Sequence, residues 1–282
     1  MKTRGQATFG IRFLVHVLVA LFVISFWGIL LQYRGRILEA RRPEVGQILN
    51  GVVLSMKDVR FNHSRSVLQS LGIEVVQKVP PSFESKEVDQ GLERHVGSRN
   101  YHTAMFLKVW SNRMAFLECM EEFVLDPTAT THTWRFFFED DIAIHPNITS
   151  QRAKMIFTKG LTLANKEGFL YLGICGPNCT DSRVLDKDVD AARCFGTCAH
   201  AFGFQQWKAA EFLTDMIGLT LKGVEGPVIL SFYFDRYLFA YAQMIERLWV
   251  IGSNLQSPVT TVWDHFGLLY QDRFHFQSDI GT

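Results

Sequence analysis

An aromatic run with the composition of a buried strand, Trp134–Phe138, ends in three consecutive carboxylates, Glu139, Asp140 and Asp141. Apolar residues at the end of a buried strand have a packing role, but adjacent charges do not. Like charges this close repel and raise one another's pKa unless a cation neutralises them. Carboxylate oxygens are the ligands that Mg²⁺ and Mn²⁺ prefer. The run therefore predicts a buried strand with a divalent-metal site at its end, and a solvated acidic turn is the alternative.

Strands and helices alternate along the rest of the chain. Apolar runs predict strands over 48–56, 73–76, 135–138, 169–174, 197–204 and 248–251, and helical spacing predicts helices over 57–71, 101–125, 151–166, 206–217 and 228–246. The segments 80–99 and 175–196 are predicted as loops. This alternation is typical of a single Rossmann-like α/β domain with a mainly parallel sheet. Ligands of such sheets bind at the carboxyl ends of the strands, where the acidic triplet lies.

The N-terminal segment is apolar enough to cross a membrane. Phe13–Leu31 contains 19 residues without a formal charge, which is long enough to span a bilayer. A cleaved signal peptide and a buried helix are the alternatives, but no small-residue cleavage site follows. The sequence predicts four parts: a cytoplasmic tail (1–12), a transmembrane signal-anchor (13–33), a stem (34–47) and an α/β domain (48–282).

The charge of the chain is unevenly distributed. Residues 1–42 carry seven basic side chains and one acidic one, and taking these from the chain's 29 basic and 28 acidic residues leaves 22 basic and 27 acidic. The α/β domain is therefore mildly acidic. Because nucleic-acid binding requires a basic face, nucleic acid is excluded as an expected partner.

Cysteines and glycosylation sequons favour a luminal domain. Four of the five cysteines form two evenly spaced pairs, Cys175/Cys179 and Cys194/Cys198. In an oxidising lumen they would form disulfides with three possible connectivities, whereas in a reducing compartment the same spacing could bind zinc. Cys119 lies within a helical pattern and is predicted to be a buried free thiol.

The sequons are Asn-x-Ser/Thr motifs at Asn62, Asn147 and Asn178. Together with the cysteines they predict a single-pass type II protein of the Golgi or endoplasmic reticulum membrane, with its α/β domain in the lumen.

Several segments resemble one family of enzymes. These are 52–71, 98–110, 136–142, 168–173, 196–204 with 209–213, and 233–238. They resemble the opening strand and basic helix, the helix before the metal site, the Glu-Asp-Asp element and the later strands of the GT-A glycosyltransferases. More narrowly, the chain looks like glycosyltransferase family 25, which includes lipooligosaccharide and procollagen galactosyltransferases.

The resemblance implies transfer of a hexose, galactose or glucose, from a UDP-sugar to a hydroxyl of a glycan or protein, with Mn²⁺ or Mg²⁺ on the diphosphate. Asp141 would then be the direct metal ligand and Glu139 would contact the ribose or the metal. Asp140 would support donor binding. His265 would be a third metal ligand supplied from the tail. The two basic helix residues Arg60 and Arg65 would contact the diphosphate, as bidentate phosphate partners, and an ordinary solvated helix face is the alternative.

A transferase that inverts the anomeric centre needs a carboxylate to deprotonate the acceptor hydroxyl. Asp235 is the first candidate, because it lies in a strongly apolar run where burial would raise its pKa. An ion pair with Arg236 is the alternative interpretation. Glu225, in a Gly-flanked loop, is the second candidate.

Two other functions remain open at this point. An inactive, transferase-like luminal binding protein would carry Glu139–Asp141 only as a turn. A metal-dependent hydrolase would also use a carboxylate cluster, but such sites usually recruit several His and Asp motifs, and this sequence offers few beyond Asp264-His265.

Glycosylation at Asn147 would conflict with the predicted site, because Asn147 lies six residues past Asp141. A glycan there would crowd the metal, so we expect Asn147 to be unmodified in active protein, while Asn62 and Asn178 are the glycosylation candidates. Mass spectrometry of intact glycopeptides checks this expectation. Full occupancy of Asn147 would count against the site.

Overall fold

A seven-stranded mixed sheet with helices on both faces organises the fold. The computed structural model describes residues 49–96, 102–145, 148–186, 189–221, 233–244, 248–253, 265–273 and 275–276, all within the unit Pro43–Thr282. The strands are β1 Leu49–Leu54, β2 Ile73–Lys78, β3 Trp134–Glu139, β4 Ile142–Ile144, β5 Phe169–Asp186, β6 Val189–Gln205, β7 Leu248–Ser253, β8 His265–Gly267 and β9 Leu269–Gln271. The helices are α1 Asp58–Leu71, α2 Lys86–Val96, α3 Ala104–Val124, α4 Ser150–Ala164, α5 Gln206–Leu221 and α6 Phe234–Met244.

The strand order is β2-β1-β3-β6-β7-β5-β8, and β5 also pairs with β6. β1 runs parallel to β2 and β3, and β5 runs parallel to β7. β6 and β8 run against their neighbours. The predicted α/β class is confirmed, but the sheet is mixed, because β5 and β6 follow each other in a hairpin and such strands pair antiparallel. A separate two-stranded sheet joins β4 to β9.

The aromatic strand β3 is buried because both of its faces are covered. Phe136 and Phe138 pack with α1 and α4, whereas Phe137 packs on the opposite face with α3, α5 and α6. All three rings are at most 1% exposed. Side chains alternate between the two faces of a strand, so an unbroken aromatic run is expected only where helices lie on both sides. Each buried Phe contributes about 1.5–3 kcal/mol.

Two segments predicted as loops form regular structure instead. Segment 80–99 contains α2, which buries Val88 and Leu92 against α3. The i, i+4 spacing of Val88 and Leu92 is typical of a helix, but the polar residues around them make this pattern hard to recognise. Gly91 is needed there because a Cβ would lie 2.8 Å from the Trp110 indole nitrogen.

The cysteine segment 175–196 is also regular, because it extends β5 and β6 into an antiparallel ribbon. The ribbon is closed by two nested disulfides, Cys175–Cys198 and Cys179–Cys194. Of the three connectivities this is the one observed, and sulfur atoms in disulfides are not available as zinc ligands. Cys119 is a buried free thiol, as predicted, and burial raises its pKa to about 12, so the thiol is unreactive.

The predicted membrane anchor, glycosylation sites and last helix lie partly outside the described residues. No helix in the described part of the chain is long and apolar enough to cross a membrane, and the predicted anchor 13–33 lies outside that part. Asn62 on α1 and Asn178 on β5 are exposed, whereas Asn147 lies outside the described residues. Of the helix predicted over 228–246, residues 234–244 form α6, and Tyr233 precedes the helix. Residues 228–232 and 245–246 lie outside the described residues.

Candidate functional site

The ends of β1 and β3 form one edge of a cavity of about 400 Å³. These strands are parallel neighbours, with Leu54 paired to Glu139, so the residues that follow each strand emerge side by side. The residues lining the cavity come from these strand ends, from α1, from the connection between β2 and α2, from α3 and from the C-terminal segment: Leu54, Ser55, Met56, Lys57, Arg60, Pro80, Phe83, Lys108, Ser111, Asn112, Glu139, Asp140, Asp141 and Arg273.

Asp140, the middle carboxylate, is bound by the protein itself. The Ser55 hydroxyl donates to its Oδ2 at 2.6 Å, and Arg60 Nη2 lies 2.6 Å from its Oδ1. Both oxygens therefore have strong partners within the chain, one from the end of β1 and one from α1. Asp140 ties these two elements to the end of β3, which is a structural role in the site.

Glu139 and Asp141 are held more loosely. Gln271 donates to Glu139 Oε2 at 2.6 Å, and Arg273 Nε lies 3.2 Å from Asp141 Oδ2. Asp141 is 2% exposed, yet its Oδ1 has no hydrogen-bond partner. Arg60 Nη2 lies 4.0 Å from Asp141 Oδ2. A buried carboxylate oxygen without a donor is costly, so this atom is suited to accept a ligand.

Burial dominates the electrostatics of this carboxylate pair. It raises the pKa of Glu139, with the neighbouring Asp141 charge adding to the rise. Burial also raises the pKa of Asp141, although the nearby Arg273 and Arg60 charges offset part of that rise. Ionisation of either carboxyl group is therefore unfavourable in the metal-free protein. A bound cation would offset this cost, because it stabilises the negative charges.

The pair therefore fits a divalent cation of the Mn²⁺ or Mg²⁺ type, held by Glu139 and Asp141. Its donor atoms are hard oxygens, and the unpartnered Asp141 Oδ1 provides a direct coordination position. Such an ion acts as a Lewis acid, which stabilises negative charge on a phosphate leaving group.

A second cavity of about 200 Å³ adjoins the first, and both are lined by Glu139, Asn112 and Arg273. Asp235 lies in it, in the first turn of α6. The Cys198 amide donates to Asp235 Oδ2 at 3.2 Å, while Oδ1 is buried and has no hydrogen-bond partner. Burial raises the pKa of Asp235, and the Cys198 hydrogen bond offsets part of the rise.

The predicted site residues fall into three groups. The structure brings together Arg60, the acidic triplet and Asp235 at the two cavities. Arg65, predicted to contact a diphosphate, is instead exposed and does not line either cavity. It lies five residues past Arg60, and this spacing places the two on different faces of a helix. Glu225 and the His265 side chain lie outside what the structure describes, although the His265 backbone pairs with Cys175.

Sequence reasoning missed Ser55, Gln271 and Arg273. Gln271 and Arg273 reach the site because β9 pairs with β4, directly after the triplet. The contact spans 132 residues between Glu139 and Gln271, and no local pattern in the tail indicates it. Ser55 lies inside the strand predicted over 48–56, whereas in the structure it directly follows β1, at the edge that β1 shares with β3.

Removing Arg60 is expected to destabilise the metal-free protein strongly. Arg60→Ala leaves the buried Asp140 carboxylate without its ion-pair partner, and such losses cost about 3–5 kcal/mol. Arg65→Ala on the same helix is the matched control, because changes at exposed positions stay within about 0.5 kcal/mol. Denaturant unfolding measures both. Equal free energies of unfolding for the two variants would contradict the ion pair.

The stability of the metal-free protein is expected to fall as pH rises. A carboxyl group with a raised folded-state pKa favours folding at low pH, and this contribution is lost as pH rises through that pKa. For Glu139 the loss begins above its ordinary value of 4.5 and extends to about 8. Added Mn²⁺ should therefore raise Tm more at about pH 8 than at about pH 6, since it binds the ionised carboxylates.

Thermal melts with and without Mn²⁺ at both pH values test this expectation. Glu139→Gln is the control, because it removes the titrating group while keeping a similar shape. It should flatten the pH dependence of the metal-free protein. An increase in Tm with Mn²⁺ that is equal at the two pH values would show that no carboxyl group with a raised pKa binds the ion.

The candidate site is defined by the geometry of its own residues. Its parts are the Glu139–Asp141 pair, the guanidinium groups of Arg60 and Arg273, and Asp235 in the adjoining cavity. No protein-family model matches the sequence, and no curated protein matches it either.

Proposed function

We propose that this protein is a metal-dependent glycosyltransferase that moves a hexose from a UDP-sugar to a hydroxyl group of a glycan or protein in the secretory pathway. The observation that carries the proposal is the pair of adjoining cavities that share Glu139. One holds a carboxylate pair suited to a divalent cation, and the other holds a buried carboxylate suited to a general base. A transferase that inverts the anomeric centre needs these two functions side by side.

The larger cavity has the properties of a donor site. Its volume of about 400 Å³ lies in the usual range for small-molecule sites, about 300–1,000 Å³. Lys57, Lys108 and Arg273 line it and provide positive charge for a diphosphate. Phe83 and Pro80 provide apolar surface for the flat face of a base. The bound metal would supply Lewis-acid stabilisation of the departing diphosphate.

The smaller cavity then receives the acceptor. Asp235 accepts the proton of the acceptor hydroxyl as its oxygen bonds to the anomeric carbon, and the bond from that carbon to the diphosphate breaks. A base with a raised pKa accepts a proton more readily than an ordinary aspartate. Because Asp235 lines a cavity that also contains Glu139, one member of the proposed metal-binding pair, we propose that the acceptor attacks from the face opposite the leaving group, with inversion.

Titration calorimetry of the full-length chain with UDP-galactose, UDP-glucose and GDP-mannose, with and without Mn²⁺, tests the donor site. Mass spectrometry of glycan and peptide acceptors then tests transfer. We expect one UDP-hexose to bind only with the metal and to be transferred. Binding without transfer to any acceptor would favour a transferase-like binding protein, and hydrolysis of generic phosphodiesters would favour a metal-dependent hydrolase. Absence of nucleotide binding by folded protein would overturn the proposal.

A further inference from the structure

Asp235 is connected to the cysteine ribbon by a hydrogen bond that crosses 37 residues of sequence. The main-chain N–H of Cys198 donates to its Oδ2 at 3.2 Å, and the two residues line the same cavity. The other carboxylate oxygen, Oδ1, is buried and lacks a hydrogen-bond partner. The Cys198 amide thus fixes one oxygen of Asp235 and leaves the second for a ligand.

The backbone of Cys198 has an uncommon conformation. Its φ is 68°, and in the described ranges it is the one non-glycine residue with a positive φ. L-residues adopt this left-handed region at a cost, and glycine usually occupies it. Cys198 holds it while bonded to Cys175 of β5. The disulfide explains why a cysteine occupies this position, since glycine would fit the backbone conformation but could not form the bond.

We propose that the Cys175–Cys198 disulfide positions Asp235 for catalysis, by holding Cys198 in the left-handed conformation from which its amide reaches the carboxylate. This inference rests on the proposed transferase function, in which Asp235 is the base. Cys198 is a positioning residue, because its amide acts on the acceptor only through Asp235. Reduction of this one disulfide would accordingly lower the rate of transfer without removing the donor site.

The second disulfide of the ribbon provides a matched control. Cys179–Cys194 links the same two strands four residues further along each of them. Neither cysteine lines either cavity. Loss of this bond also removes one covalent link between the two strands, but it leaves the Cys175–Cys198 bond in place.

The kinetic test compares three double variants of the full-length chain. Cys175→Ser with Cys198→Ser should lower kcat by roughly tenfold, since it loosens one charge-assisted hydrogen bond, while calorimetric binding of the UDP-sugar with Mn²⁺ stays unchanged. Cys179→Ser with Cys194→Ser should keep kcat. Cys175→Ser with Cys198→Gly should recover most of it, because glycine adopts the left-handed conformation without a disulfide. Equal losses in the two serine pairs, or no recovery with glycine, would overturn the proposal.

A second readout does not depend on activity. With ¹⁵N-labelled cysteine, Asp235→Asn should shift the Cys198 amide resonance more than those of the other cysteines. In a Cys175→Ser background the same substitution should no longer shift the Cys198 amide resonance selectively, because Cys198 is no longer held in the left-handed conformation. A selective shift of the Cys198 amide resonance that persists without the disulfide would contradict the inference. If no transfer occurs in the wild type but the amide response behaves as expected, the proposed function fails while the disulfide-dependent contact stands.

Discussion

Asp141→Asn is expected to abolish Mn²⁺-dependent binding of the nucleotide sugar. Asp141 is 2% exposed, and its Oδ1 is a buried carboxylate oxygen without a hydrogen-bond donor. The substitution removes a charged ligand atom while keeping the size of the side chain. Loss of a supporting residue around a metal costs up to about a hundredfold in affinity, so loss of a direct ligand should cost at least about that much. Calorimetry with Mn²⁺ and UDP-galactose or UDP-glucose measures the loss.

The neighbouring carboxylate provides the control. Asp140→Asn makes the same chemical change one residue away, but the oxygens of Asp140 are already bound by Ser55 and Arg60. We expect it to lower the free energy of unfolding and to leave metal affinity much closer to the wild type. A loss of metal binding as large as that of the Asp141 variant would mean that the whole turn, rather than one ligand atom, governs the site.

The metal-free stability of the Asp141 variant adds a further check. Burial raises the pKa of Asp141, so its charge is unfavourable in the absence of a cation. Asn is neutral and loses the favourable charge interactions with Arg273 and Arg60. The melting temperature without metal should therefore change little, and the stabilisation on adding Mn²⁺ should disappear. A large loss of metal-free stability would show that the Arg273 ion pair outweighs the desolvation of the carboxylate.

The parts of the site that follow from sequence are those set by local pattern. The strand Trp134–Phe138 alternates between two covered faces, and the change from aromatic to acidic residues marks its carboxyl end. Strand β1 and helix α1 are recognisable from an apolar run followed by helical spacing that ends at Gly72. Since β1 and β3 are parallel, the end of β1 and Arg60 on the following helix lie beside the triplet.

The parts that do not follow from sequence depend on long-range pairing. Arg273 and Gln271 reach the triplet because β9 pairs with β4, and their own neighbourhood carries no signal for this. The Cys198–Asp235 contact needs both the disulfide connectivity and the docking of α6, neither of which spacing determines. Arg65 is the opposite case, because its charge suggested a phosphate contact, whereas its position on the helix leaves it exposed and outside the lining of both cavities.

Asp235→Asn is expected to lower kcat for sugar transfer by about 10²–10⁴-fold, the usual contribution of a general base. Asn keeps an oxygen that can accept from the Cys198 amide, so the side chain should hold its place while losing its basicity. The donor binds in the other cavity, whose lining does not include Asp235. Calorimetric affinity for the UDP-sugar with Mn²⁺ should therefore match the wild type.

Glu211→Gln is the control for this prediction. Glu211 lies on α5 and is a partly buried carboxylate that lines neither cavity. It accepts a hydrogen bond from Tyr241 of α6, the helix that carries Asp235. Its loss should reduce stability and leave kcat near the wild-type value. The pH profile separates the roles further, because wild-type transfer should fall as pH drops through the raised pKa of Asp235. If the Asp235 variant keeps its kcat and this acidic limb, the proton goes to another group, and the acceptor does not react in the smaller cavity.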